Sequence, residues 1–95
     1  MTFADRGTED IYDGVASKAA RKTCPPNLTN AARRKLFQIA TVTSFDELRT
    51  PPGNRLEEPR GDRAGQHSIR INDQYRICFR WNSGDPEDVE VINYH

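Results

Sequence analysis

Hydrophobic and polar residues follow one period in the first half of the chain and another in the second half. Between Leu28 and Val42, apolar residues recur three or four positions apart, which places them on one face of a helix. The members of that face are Ala32, Leu36, Ile39 and Ala40. After residue 66 the apolar positions recur every second residue, as in a strand with one buried face. The pattern therefore predicts helices first and a sheet afterwards.

Shorter elements are predicted before and after the long helix. Thr2–Asp5 has the length of a short first strand, and Thr8 with the acids that follow it fits a helix start. Ser17–Lys22 predicts a second helical segment, which two consecutive prolines soon interrupt. Ser44 with a glutamate three positions later has the capping-box pattern, so one further helical turn is expected there.

Three strands with short turns are predicted in the second half. The first contains His67, Ile69 and Ile71, the second runs from Tyr75 to Trp81, and the third from Asp88 to Tyr94. Turn residues lie at 72–74 and 82–86, and Arg55 to Glu58 is expected to add one more strand. The expected fold is a single α+β domain over residues 1–95, with N-terminal helices packed on one face of a small, mainly antiparallel twisted β-sheet.

The period of two also assigns the arginines of the sheet to one face. If Ile69, Ile77 and their neighbours face the helices, Arg70, Arg76 and Arg80 must lie on the opposite, solvent-facing side. Guanidinium groups gathered on one face repel each other unless acids or an anionic ligand lie between them. This face is therefore a candidate phosphate-binding surface. The alternative is that Arg76 and Arg80 pair with Glu90 or Asp88 across the hairpin.

Charge is balanced over the whole chain but not along it. The 95 residues carry a formal net charge of zero. Residues 49–80 hold seven arginines, four acids and no lysine, whereas residues 81–95 hold four acids and no Lys or Arg. Cations that are all arginine favour forked contacts with phosphate or carboxylate. Paired surface arginines are the alternative.

The cysteines and the chain start predict a cytoplasmic protein. Cys24 and Cys78 are far apart and form no CxxC motif, so they are expected to be reduced and structural. Neither a signal peptide nor a segment that could span a bilayer is seen, so no membrane partner is expected. No cofactor motif and no metal-ligand spacing is present either, so we expect neither a cofactor nor a metal.

Three stretches of the sequence are similar to one known family. They are PPGNRLEE at 51–58, GDRAGQHSIRINDQYRICFRW at 61–81 and DVEVINYH at 88–95, and the likeness extends to residues 7–13 and 31–36. Together they resemble the HigB-type, or plasmid-maintenance killer, branch of the RelE toxin superfamily. The resemblance implies a RelE-like, microbial RNase-like fold. It also implies metal-free cleavage of mRNA in the ribosomal A site, and a helix-turn-helix antitoxin of the HigA type that alone contacts operator DNA.

The resemblance also implies site residues. Tyr94 and His95 match the family's ending and Arg76 its hairpin arginine, and Arg60 matches the basic residue before Gly-Asp. Asn93 stands where an aspartate is expected, and Glu57 where some relatives have histidine. The predicted catalytic residues are therefore Glu57, Arg76, Asn93, Tyr94 and His95, and the predicted RNA-binding residues are Arg60, Arg63, Arg70 and Arg80.

These residues have the chemistry for attack of a ribose 2′-OH on phosphorus. Histidine titrates near neutral pH, with a reference pKa of about 6.5, so His95 can move protons. Tyr94 is suited to donate one, Arg76 to stabilise phosphoryl charge, and Glu57 to act as a base or to orient one. Plainer interpretations are a frayed His95, a core Tyr94, a solvated Glu57 and a His67 at the core edge.

The basic residues Arg33 to Lys35 of the long helix leave two interpretations open. They form either a solvated helix face or a contact with ribosomal RNA or an acidic antitoxin. Asn93 likewise leaves a second function open, a catalytically weak module that binds the ribosome or the antitoxin without cutting RNA.

Overall fold

The structure is a computed structural model that describes residues 1–59 and 61–94, with only the backbone at residue 62. Its helices are α1 (Arg6–Asp13), α2 (Lys18–Thr23) and α3 (Thr29–Thr41). Its strands are β1 (His67–Arg70), β2 (Tyr75–Asn82) and β3 (Asp85–Asn93). Short 3-10 turns lie at Pro26–Leu28, Phe45–Arg49, Pro52–Asn54 and Gly61–Arg63. The predicted order of helices before strands is confirmed.

The helix starts follow capping chemistry, with one correction. Ser17, at the start of the predicted second helical segment, caps α2 by accepting a hydrogen bond from the Ala20 N–H at 3.0 Å. The capping box at Ser44 is also present. Helix α1, however, begins before Thr8, because the carboxylate of Asp5 accepts from the Thr8 N–H at 2.6 Å. Thr8 is instead fully buried and accepts a hydrogen bond from the Val91 N–H at 3.0 Å, which ties α1 to β3.

The three strands form the predicted antiparallel meander in the order β1-β2-β3. Strand β3 begins at Asp85, earlier than expected, because the hairpin turn is shorter and places Ser83 and Gly84 at positive φ. Each predicted edge strand is reduced to a single bridge. Phe3 pairs in parallel with Val89 beside β3, and Glu57 pairs antiparallel with Ser68 beside β1.

The hydrophobic core lies between the three helices and one face of the sheet, as the period of two predicts. Helix residues Ile11, Leu36 and Ile39 are buried there with the strand residues. The strand residues of this core are Ile69, Ile77, Phe79, Val89 and Val91. Burial of this apolar surface is the main source of stability in a domain of this size. No helix among the described residues is both long and apolar enough to cross a membrane.

The opposite face of the sheet is not the open surface that the sequence predicts. Arg76 is only 7% exposed, so its predicted solvent-facing position is wrong. The alternation is correct, but the chain around Arg55 to Glu57 lies beside the edge strand β1, and Arg76 is buried with its Nη2 donating to the Arg55 carbonyl. Arg80, at the other end of the face, keeps 46% of its side chain exposed.

Both cysteines are free and buried, which confirms the structural interpretation. Burial raises the pKa of the Cys24 thiol to about 11. Burial also raises the pKa of Cys78, which lies on β2 between Arg76 and Arg80. Neither thiol is therefore poised to ionise near neutral pH.

Candidate active site

A polar cavity of about 280 Å³ lies on the sheet face away from the helices. It is lined by Arg55, Glu57, Arg70, Asn72, Asp73, Arg76 and Tyr94. These residues come from the segment before β1, the end of β1, the β1–β2 turn, the start of β2 and the residue after β3. We call it the arginine cavity. Four residues predicted from the sequence meet in it: Glu57, Arg70, Arg76 and Tyr94.

Arg76 is held by the protein along one edge of its guanidinium group. Its Nε donates to the Ser68 Oγ at 2.9 Å, and its Nη2 donates to the Arg55 carbonyl at 2.6 Å and the Ser68 carbonyl at 3.3 Å. Ser68 is itself fully buried. These contacts use Nε and Nη2, and they fix the plane of the group before any ligand arrives. A buried, oriented cation of this kind is suited to stabilise an anion.

Two further groups of the cavity contact Arg76. The Glu57 Oε1 lies 3.6 Å from the Arg76 Nη2, and the Tyr94 ring centroid lies 5.7 Å from its Cζ. Tyr94 is positioned by its own backbone N–H, which donates to the Gln74 carbonyl at 2.7 Å and continues the β2–β3 pairing. Because Tyr94 is 46% exposed, its interpretation as a core aromatic is wrong. The hydroxyl-bearing ring and the guanidinium therefore share one cavity wall.

The β1–β2 turn forms the far wall of the cavity. Asn72 shapes the turn, because its Oδ1 accepts from the N–H groups of Gln74 and Tyr75 at 2.9 and 2.8 Å. Arg70, the last residue of β1, forms an ion pair with Asp73 of this turn. The sequence predicts the turn, but it gives no sign that Asn72 and Asp73 line the cavity.

Arg55 also lines the cavity, although its sequence pattern predicts only a strand residue. It follows the 3-10 turn Pro52–Asn54 and adopts the left-handed conformation, with φ of 45°. The turn residues that precede it, Pro-Gly-Asn, are the sequence feature from which a bend at this position could be found.

Other predicted site residues lie away from the cavity. Arg63 donates to the Glu90 Oε1 at 2.9 Å, and this hydrogen bond raises the pKa of Arg63. Arg80 pairs with Asp88 at 3.6 Å, one of the two hairpin pairings that the sequence leaves open. The other is wrong, because Glu90 contacts Arg63 and Arg76 contacts Glu57 instead.

Asn93 pairs with Tyr75 in the β2–β3 ladder and is not among the residues that line the cavity. By strand alternation it lies on the helix-facing side of β3, together with Val91. The predicted residues Arg60 and His95 lie outside the described part of the chain. His67 is packed between Phe45 and Phe79, at ring distances of 4.5 and 6.0 Å, as expected for a core-edge residue.

Comparison with known proteins assigns the family. The model of the RelE-like HigB toxins of type II toxin–antitoxin systems matches residues 1–95. The chain belongs to the HigB-like toxin family. Toxin HigB-1 of Vibrio cholerae serotype O1 is 36% identical over 84 residues, which cover 88% of this chain and 85% of the relative. An uncharacterised protein of Haemophilus influenzae is 36% identical over 67 residues, 68% of this chain and 64% of that protein.

The structure of a YoeB/ParE toxin from Agrobacterium tumefaciens aligns with 99% of this chain and 97% of its own, at 18% identity and a TM-score of 0.47. Membership in the HigB-like family makes the chain the toxin component of a type II pair, and a type II toxin has a protein antitoxin as its partner. The resemblance noted in the sequence is thereby confirmed.

Proposed function

We propose that this HigB-like toxin is a ribosome-dependent endoribonuclease that cuts mRNA in the A site. The observation that carries the proposal is the buried Arg76, oriented by Ser68 and the Arg55 carbonyl and facing Tyr94 in one cavity. A fixed cation beside a hydroxyl group is the arrangement that charge stabilisation and proton donation require.

The reaction proposed for the cavity needs no group beyond the RNA and the protein. The ribose 2′-oxygen attacks the adjacent phosphorus, the 5′-oxygen of the next nucleotide leaves, and a 2′,3′-cyclic phosphate and a 5′-OH result. Negative charge on the non-bridging oxygens is stabilised by Arg76. Because the guanidinium is already desolvated and hydrogen-bonded, little reorganisation is needed when that charge develops.

Two proton transfers complete the reaction, and three residues are suited to them. Tyr94 donates to the leaving oxygen, and its ring beside Arg76 places the hydroxyl group at the cavity wall. Glu57, 52% exposed and next to Arg76, accepts the 2′-OH proton or orients the group that does. His95 follows Tyr94 directly in the sequence and remains a proposed proton carrier.

Phosphates on either side of the cleaved bond are proposed to contact Arg60, Arg63, Arg70 and Arg80. The side chains of Arg63 and Arg80 are 30% and 46% exposed, and each is paired with a single carboxylate, so an RNA phosphate can compete for them at modest cost. The A site of the ribosome supplies the orientation of the codon. We further propose a cytoplasmic location and an antitoxin of the HigA, helix-turn-helix type, through which alone operator DNA is bound.

The test is to map mRNA 5′ ends after adding the purified toxin to a translation extract. We expect codon-phased cuts with the wild-type protein and with Arg21→Ala, which removes an exposed arginine of α2, on the helix side of the sheet. The cuts should disappear with Arg76→Ala and with His95→Ala, each checked for native circular dichroism. A wild-type protein that leaves all messages uncut while translation continues contradicts the proposal.

A second candidate function is a binding module that arrests translation without cleavage. Asn93 favours it, because an amide replaces the expected carboxylate and lies on the helix-facing side of β3. Translation arrest on intact message, with the same ribosome occupancy for wild type and His95→Ala, would support this second function.

A further inference from the structure

The backbone of Arg55 is fixed in a conformation that arginine rarely adopts. Its φ of 45° lies in the left-handed region, where a side chain crowds the following carbonyl group. Asn54, immediately before it, is fully buried, and its Nδ2 donates to the Leu48 carbonyl at 3.1 Å and the Gln38 Oε1 at 3.0 Å. The surrounding structure therefore imposes the conformation, although glycine would adopt it with less strain.

In this conformation the backbone and the side chain of Arg55 contribute to the cavity separately. Its carbonyl accepts the hydrogen bond from the Arg76 Nη2 at 2.6 Å, while its own side chain is exposed and lines the cavity. Glycine at this position would supply the first contact but not the second. Because glycine would suit this backbone conformation better than arginine, the presence of arginine points to a role for its guanidinium group.

The charges of the cavity agree with that role. Of its three arginines, Arg70 is paired with Asp73 and Arg76 with Glu57. Among the residues that the structure describes, no carboxylate forms an ion pair with Arg55, so a ligand anion would not have to displace one. A guanidinium group binds two phosphate oxygens in a forked geometry.

We propose that Arg55 is a further phosphate-binding residue of the cavity, which contacts the RNA strand beside the phosphate held by Arg76. The inference rests on the proposed function, since it assigns a further contact with the same RNA. Arg55 acts mainly in binding, because the contact that helps to orient Arg76 comes from the Arg55 carbonyl and not from its side chain. Its loss should therefore raise KM more than it lowers kcat.

The experiment measures binding of the whole toxin to ribosomes programmed with a message that carries 2′-O-methyl groups in the A-site codon. Such a message binds but cannot be cut, because the attacking hydroxyl group is blocked. Affinity is measured over a range of KCl concentrations. Each phosphate contact with a single strand contributes about 0.7 to the slope of log K against log salt.

We expect Arg55→Gly to bind about tenfold more weakly at low salt, with the slope reduced by about 0.7. Glycine keeps the left-handed backbone, so the Arg55 carbonyl contact with Arg76 should persist. Arg55→Asn, a second residue that tolerates this conformation, should give the same result if glycine loosens the loop. Arg55→Lys should keep the salt slope and lose part of the affinity, since the charge remains without the fork.

The matched control is Arg21→Ala, which removes one exposed arginine from α2, away from the cavity. It should match the wild type in both affinity and salt slope. Wild-type affinity and slope in Arg55→Gly and Arg55→Asn, with unmodified message still cut by the wild type, would overturn the role of Arg55 alone. If the wild type neither binds the methylated complex nor cuts the unmodified one, the proposed function itself fails.

Discussion

Arg76 and Arg80 lie four residues apart on the same face of β2, and each has a carboxylate oxygen at 3.6 Å, yet their burial and hydrogen bonding differ. Arg76 is 7% exposed, donates hydrogen bonds to Ser68 and the Arg55 carbonyl, and lies beside the Tyr94 ring. Arg80 has 46% of its side chain exposed and a single carboxylate partner at 3.6 Å. Cys78 separates them and is fully buried.

The difference shows that strand alternation assigns a side chain to a face but does not determine its chemistry. That chemistry depends on what packs around the side chain. The chain around Arg55 packs against Arg76, whereas much of the Arg80 side chain contacts solvent. A desolvated cation with fixed partners interacts strongly with a ligand anion, whereas an exposed ion pair is worth at most about 1 kcal/mol. The two arginines are thus expected to contribute unequally to any reaction in the cavity.

Replacing each arginine in turn tests this inequality most directly. Arg76→Ala should lower the rate of message cleavage by about 10²–10³, the range found when one donor to a developing oxyanion is removed. Arg80→Ala should lower it only a few-fold through weaker RNA binding. Single-turnover cleavage on programmed ribosomes measures both. Equal losses of cleavage rate in the two variants would show that burial of the arginine does not determine its contribution to the reaction.

Changing Tyr94 tests whether the Arg76 end supplies a proton as well as a charge. Tyr94→Phe keeps the ring beside Arg76 but removes the hydroxyl group, so cleavage should slow about a hundredfold with little change in KM. The rate should recover on a message whose 5′-leaving oxygen is replaced by sulfur, because a thiolate leaves without protonation. Failure of that substrate to rescue Tyr94→Phe would exclude proton donation by the tyrosine.

Removing one support of Arg76 should have a smaller effect. Ser68→Ala deletes the hydroxyl group that accepts from Nε, so it should cost about 1–2 kcal/mol of stability. Cleavage should fall roughly tenfold, because the guanidinium loses part of its orientation. Combining it with Arg76→Ala should cause no further loss of rate, since both act through one group. Additive losses in the double variant would assign Ser68 an independent role.

The reactivity of the Cys78 thiol measures how well the sheet face between the two arginines is shielded from solvent. The change in its labelling rate is the smallest effect that we predict. Because burial raises its pKa, little thiolate exists near neutral pH, and a thiol reagent should react slowly. In a Cys24→Ala background, the rate should keep rising with pH above 9 instead of levelling off. Ser68→Ala should react faster than Arg80→Ala at the same pH. If Cys78 in the Cys24→Ala protein is labelled at the rate of an exposed thiol, this part of the sheet face is open to solvent.

The sequence predicted those features that depend on period and on local capping. The meander, the helix-facing core and the capping box at Ser44 all follow from spacing along the chain. The resemblance added Glu57, Arg76 and Tyr94, which the structure places around one cavity.

The features that the sequence missed depend on contacts between distant segments. Thr8 looked like a helix cap, but Val91 occupies its hydroxyl group and Asp5 takes over as the cap. The bridge between Glu57 and Ser68 involves one residue on each side, which is too short to leave a period in the sequence. That bridge brings the chain around Arg55 next to Ser68 and Arg76. Because the bridge could not be predicted, neither the burial of Arg76 nor the position of Arg55 in the cavity could be predicted.

The order in which the cavity's parts occur along the chain determines when it can form during synthesis. Arg55, Arg70 and Arg76 are translated before β3, yet β2 acquires its second neighbour and Arg76 its aromatic contact only when β3 and Tyr94 are present. A chain still being made thus carries its guanidinium groups on an unfinished sheet. The cavity is therefore complete only after β3 has paired with β2 and Tyr94 has been added to the chain.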